Sequence, residues 1–123
     1  MPVIVLYGIP KRLKDDGALN ALVLRHLPAA VAGIAELELT AKQVSLFCPQ
    51  DALSAGLGEE LIAFVAALSV GPKRTPLVKK RLAEAVCAEL ALFAKANLPE
   101  CGLIEVFVQS FNQESEGAAS WRP

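Results

Sequence analysis

The sequence predicts an α+β protein: two tandem βαβ units whose four strands share one mixed sheet, with two helices on one face. Three observations carry this. A strand, helix, strand order runs twice through the 123 residues, and the two passes superpose at an offset of 62. The offset lays Pro10-Lys11-Arg12 over Pro72-Lys73-Arg74, Val3 to Leu6 over Val65 to Leu68, and Val44 over Val106. Matches at one offset, each at a strand or its end, read as a duplicated unit. The third observation is an excess of apolar residues: 54% before glycine is counted, against ~45–50% with glycine included in ordinary soluble domains. The reading is therefore one domain over 1–123, a pseudo-repeat of 1–58 and 59–111, and a polar tail over 112–123 that carries Trp121.

The first strand runs from Val3 to Ile9, apolar almost without a break, and Gly8 and Pro10 stop it. Lys11 to Gly17 is a charged turn in which Asp15 or Asp16 can cap a helix. Leu19, Leu22, Val23, Leu27, Val31 and Ile34 then recur as a helical stripe. Pro28 interrupts it, removing the hydrogen bond to residue 24, so a kink or two abutting helices are expected. Gln43 to Cys48 reads as the second strand, closed by Pro49, and a loop of small residues spans Asp51 to Gly58. Leu61 to Val70 suits a buried helix as well as a strand, and the repeat decides for a strand.

The second half is better punctuated. Thr75-Pro76 is an N-cap followed by proline at the first helical position. Val78, Leu82, Ala85, Val86, Leu90 and Phe93 form the stripe, and Asn97-Leu98-Pro99 ends the helix. Leu103 to Phe111 alternates, with Ile104, Val106 and Val108 on one face and Glu105, Phe107 and Gln109 on the other. With both helices on one face the other sheet face has no cover in this chain, so association is expected.

Composition narrows function by exclusion. The formal charge is −1 and the basic residues are scattered, which makes no nucleic-acid footprint. No apolar run reaches the ~18–20 residues of a membrane span, and the start lacks a signal peptide's pattern. A cytoplasmic location is expected. Cys48, Cys87 and Cys101 are odd in number and far apart, as fits reduced thiols packed in a core. The single His26 has no second ligand at metal-binding spacing.

Pro2 directly follows Met1 at the head of the first strand. Removal of Met1, which a small second residue permits, leaves a secondary amine. Apolar surroundings would disfavour its charged form and so depress its pKa, leaving a base at neutral pH. If Met1 is retained, the nitrogen is an amide and cannot serve.

In these features the chain resembles the tautomerase superfamily: the doubled βαβ plan, Met1-Pro2 opening the first strand, and a last strand followed by a short tail. Its length is similar to the macrophage migration inhibitory factor and 5-carboxymethyl-2-hydroxymuconate isomerase branches, which fuse two copies of the shorter 4-oxalocrotonate tautomerase unit. The resemblance implies a homotrimer that supplies the missing layer, Pro2 as catalytic base, and no cofactor. It also implies that Arg12, ten residues beyond Pro2, binds the substrate. The short enzyme has a second arginine in the strand after the first helix, where Val44 to Cys48 has none. Lys42 could take that role, as could Arg74 or Lys73, the repeat copies of Arg12 and Lys11, and Phe107 and Asn112 stand where a pocket wall would be sought.

The expected activity is proton transfer in a small enol or α-keto carboxylic acid, with Pro2 as general base and the cations holding a carboxylate. A cationic Pro2 would instead suit hydratase or dehalogenase chemistry, for which Glu105 is the candidate to activate water. A non-catalytic trimeric binding protein on the same scaffold is the third reading.

Overall fold

The computed structural model describes residues 1–50, 55–56 and 58–123. Most of the small-residue loop read at Asp51 to Gly58 lies outside them. Four strands form one sheet in the order β2-β1-β3-β4: β1 (Val3–Tyr7), β2 (Ser45–Phe47), β3 (Glu59–Ser69) and β4 (Cys101–Phe111). Strands β1 and β2 are parallel, as are β3 and β4, while β1 and β3 are antiparallel at the centre. The two βαβ units thus meet head to tail, and the sheet is mixed as expected.

Both helical segments pack on one face. Ile4 and Leu6 of β1 and Leu61, Ala63, Val65 and Leu68 of β3 meet Leu22, Leu27 and Val31 of the first segment and Leu82, Val86 and Leu90 of the second. Alternation along each strand dictates this division. The stripes read from the sequence are those buried, with Val23 and Ala85 only partly covered.

The first helical segment shows how Pro28 is accommodated. It runs as α1 (Gly17–Ala21), a π-helical turn (Leu22–His26) and α2 (Leu27–Ala32). The Leu27 N–H bonds the Leu22 carbonyl, five residues back. Widening the turn ahead of Pro28 makes room for its ring and tolerates the missing donor, so the expected discontinuity takes the form of a π-turn. Asp16 is the cap, its Oδ1 accepting from the Ala18 and Leu19 N–H groups at 2.8 and 3.2 Å. The second segment is a single helix, α3 (Pro76–Asn97), started by the Thr75 hydroxyl accepting from Val78 N–H at 3.2 Å.

The strand limits differ from the sequence reading: β3 and β4 each start two residues earlier than expected, β3 stops at Ser69 rather than Val70, and β1 and β2 are shorter. β1 ends at Tyr7 because Gly8 turns to φ +99°, where a Cβ would lie 1.9 Å from the Glu60 carbonyl oxygen. β2 is only three residues long, since Thr40 and Gln43 form a capping box over a 3-10 turn (Ala41–Gln43) that takes Gln43 out of the strand. In β3 a bulge between Val65 and Leu68 holds Ala67 at φ +59°.

The opposite sheet face is open and aromatic. Phe47, Val5, Phe64 and Phe107 pair in one row across all four strands. Phe64 and Phe107 stack at 5.5 Å between ring centroids, and Tyr7 meets Phe64 edge-on at 6.0 Å. Phe47 is 60% exposed and Phe107 45%. None of the three cysteines is bridged, and all are half-buried; desolvation pushes the Cys48 thiol above its ordinary pKa. Among the described residues no helix is long and apolar enough to cross a membrane.

Candidate functional site

Pro2 is buried at the start of the sheet. Its carbonyl accepts from Ser45 N–H at 3.1 Å, which opens the β1–β2 ladder. Proline suits this place because no ladder donor is required of it. By alternation it shares the helix-facing side with Ile4 and Leu6, so its ring closes the end of the core. Across the sheet, one step beyond the Val3–Ala66 pair, comes Ala67 of the β3 bulge. Bulges recur beside active sites, where they re-aim side chains. Nothing in the sequence marked this one.

Strand directions decide which cations accompany Pro2. Because β2 is parallel to β1, the turn carrying Lys42 precedes it at Pro2's end of the sheet. Because β3 is antiparallel, its last residue, Ser69, and then Arg74 lie at that end too. Arg12 follows the far end of β1, beside the start of β3. Within one chain the fold therefore groups Pro2 with Lys42 and Arg74, and separates it from Arg12.

The two arginines have different partners. Arg74 Nη1 donates to the Ser69 carbonyl at 2.8 Å and to Ser69 Oγ at 2.6 Å, while Nη2 donates to the Leu37 carbonyl at 2.9 Å. It ties the end of β3 to a 3-10 turn (Ala35–Leu37). Two further contacts fasten the same region, Lys73 to Glu38 and Arg81 to Glu36. The Lys73 contact holds the Glu38 carboxyl below its usual range and Lys73 above its own. Glu36 is also lowered, first by its own backbone N–H and then by Arg81. Lys42 is exposed and has no ion pair among the described residues.

At the far end Arg12 Nη1 donates to Glu59 Oε1 at 2.8 Å, and this hydrogen bond raises the guanidinium pKa. The second carboxylate oxygen, Oε2, is buried with no hydrogen-bond partner among the described residues. An open cleft of about 770 Å³ adjoins the pair, between Tyr7–Lys11 and Gly58–Ile62. Sequence reasoning missed Glu59, Ser69 and the Leu37 carbonyl alike. Only the antiparallel register of β1 and β3, which has no local signal, brings Glu59 to Arg12.

The other residues considered fall elsewhere. Glu105 pairs with Ile62 in the same row as Tyr7, on the open sheet face. Phe107 belongs to the aromatic stack on that face. Asn112 follows β4 and starts a turn, its Oδ1 accepting from Glu114 N–H at 3.0 Å.

The mixed sheet built from two βαβ units and covered by helices on one face is a fold that this chain shares with known enzymes. Solved structures share it nearly end to end. The fused 4-OT wild-type symmetric trimer superposes with a TM-score of 0.66 at 17% identity, over 95% of this chain and 91% of that one. A 5-carboxymethyl-2-hydroxymuconate isomerase from Deinococcus radiodurans R1 gives 0.58 at 16% identity, over 99% and 88%. FG41 malonate semialdehyde decarboxylase inhibited by 3-bromopropiolate gives 0.55 at 15% identity, over 98% and 89%. No protein-family model and no curated protein sequence matches the chain.

Proposed function

We propose that this chain is a cofactor-independent tautomerase that moves a proton within a small enol or α-keto carboxylic acid, with the amine of Pro2 as general base once Met1 is removed. The observation that carries the reading is the burial of Pro2 at the head of β1, where the helix layer meets the sheet. An amine at the edge of an apolar core is held toward its neutral form, because desolvation penalises the ammonium. Its lone pair would take the proton from the enol oxygen or the donor carbon and return it at the acceptor carbon. The substrate carboxylate would be held by Lys42 and Arg74 at Pro2's end of the sheet, with Arg12 reaching the site from an adjoining copy. Cations fixed there stabilise the dienolate as charge spreads through it.

The chain acts as a homotrimer in this reading. The open face leaves Phe47, Phe64 and Phe107 exposed in one row, and contiguous exposed apolar residues mark association surfaces. The fused 4-OT trimers with which it shares its fold give the assembly a precedent. Phe64→Lys puts a charge at the centre of that face and is expected to shift the particle to monomer by light scattering. A trimer unaffected by it would contradict this mode of assembly.

Hydratase chemistry with a cationic Pro2 needs a group to activate water. Glu105 is a poor candidate within one chain, since it stands in the row of Tyr7 and Ile62, away from Pro2's end. The test of the leading reading is enol-to-keto conversion, followed by ultraviolet absorbance, using protein whose N-terminal residue is read by mass spectrometry. Conversion that requires the trimmed N-terminus is the expected result. Trimmed protein that converts no enol acid would leave the non-catalytic binding reading in its place.

A further inference from the structure

Resting on the function proposed above, we infer that the Pro2 site accepts substrates with one carboxylate and discriminates against those with two, because Glu59 holds the charge of Arg12. A dicarboxylate needs two cationic anchors set apart. At Pro2's end the described residues offer Lys42 and Arg74, which share one end of the sheet. Arg74 has already committed both Nη atoms to Ser69 and Leu37, which leaves its Nε edge. Lys42 and that edge, at the same end of the sheet, are assigned to one carboxylate.

In the function proposed above the second anchor is Arg12, presented from an adjoining copy. Its Nη1 is bonded to Glu59 Oε1 at 2.8 Å within the same chain. Wherever Arg12 is presented, in its own chain or across to an adjoining copy, Glu59 travels with it. A carboxylate arriving there meets a neutral pair rather than a cation. Glu59 Oε2 is buried without a hydrogen-bond donor among the described residues, so the carboxylate's charge is balanced through Oε1 by Arg12. A second carboxylate drawn to the same guanidinium is repelled by the first, and this is how a site rejects the wrong ligand. Glu59 is thus a specificity-determining residue that acts through Arg12, and the substrate's far end is expected to be neutral.

The experiment compares two dienols on the trimmed full chain: a five-carbon 2-hydroxydienoate, and the six-carbon 2-hydroxydienedioate that adds only a second terminal carboxylate. The expected result is a kcat/KM ratio favouring the monocarboxylate by about tenfold or more, carried mainly by KM. Equal rates, or preference for the dicarboxylate, would overturn the inference while leaving the proposed tautomerase intact. Turnover of neither compound by protein with a free Pro2 amine would overturn both. Glu59→Gln removes the counter-charge, and is expected to improve KM for the dicarboxylate about tenfold, with Glu59→Asp restoring the wild-type preference. A Glu59→Gln ratio equal to wild type, in protein that remains folded by circular dichroism, would remove Glu59 from this role. The wild-type ratio decides the substrate class even if neither variant folds.

Discussion

Arg12 and Arg74 hold matching places at the 62-residue offset, and the two ends of the sheet put the same side chain to different uses. Each follows the Pro-Lys step after a strand on the central antiparallel pair. Arg12 met a carboxylate and formed an ion pair beside an open cleft. Arg74 met carbonyls and a hydroxyl and became a clasp between β3 and the 35–37 turn. The same side chain stands at both places, and the residue opposite it decides its use. The two ends also differ in how a strand begins: β1 follows directly on Pro2, whereas β3 begins on Glu59 in the middle of the chain.

The sharpest way to break this contrast is to remove the feature that only one end possesses. Pro2→Ala keeps a primary amine but loses the basicity and fixed geometry of the ring, so kcat for enol conversion should fall about 10²-fold or more. Full activity in this variant would contradict a base at Pro2. At the other end Gly8 is the equivalent point of vulnerability. Its φ of +99° and the 1.9 Å approach of a Cβ to the Glu60 carbonyl leave no room for a side chain. Gly8→Ala should cost about 2–4 kcal/mol of stability in denaturant melts, and a cost below about 0.5 kcal/mol would show that β1 can end another way.

A smaller effect is expected from the clasp. Arg74→Ala strips the donor from the Leu37 carbonyl, and a polar group left without its partner costs about 1–3 kcal/mol. Arg74→Lys should recover only part of this, since a single ammonium cannot span Ser69 and Leu37 as a planar fork does. Equal stability of the lysine variant and wild type would argue against the clasp.

The smallest effect is electrostatic and belongs to the Pro2 end. Glu36 and Glu38 have folded pKa values below their ordinary one. Their contribution is present above the unfolded carboxylate pKa and is lost as the pH falls through the lowered folded values. Lys73 is raised, so its share is present below its unfolded pKa and is lost as the pH rises through the folded one. The Tm should therefore hold through neutrality and decline in acid. Glu38→Gln should flatten that decline slightly, because exposed pairs contribute little, and an unchanged acid limb in the double variant of Glu36 and Glu38 would remove the pairs from the account.

Much of the fold was legible because it is written in periodicities and caps. Thr75-Pro76 announced α3, and alternation in β4 separated Ile104, Val106 and Val108 from Glu105 and Phe107. β3 was legible only through the repeat, since its alanines and leucines suit a helix equally. The length of β2 was not, because the Thr40–Gln43 box depends on a reciprocal contact rather than on propensity. Of the candidate site, the sequence offers the residues but not their grouping. Pro2 announces itself by position, and Lys42 and Arg74 by charge. Their grouping, and the exclusion of Arg12 from Pro2's end, follow from which strands run antiparallel. Glu59 and Ser69 carry no signal at all until the register is known.

The central claim is that Pro2 bears a neutral amine at working pH, and the pH dependence of covalent labelling at the N-terminus measures it. The modified N-terminal peptide would be read by mass spectrometry across a pH series. Labelling at Pro2 with a midpoint near neutrality, below the roughly 7.7–8.0 of an ordinary α-amino group, is the expected result. A midpoint well above that range, or a retained Met1 in the native protein, would contradict the account.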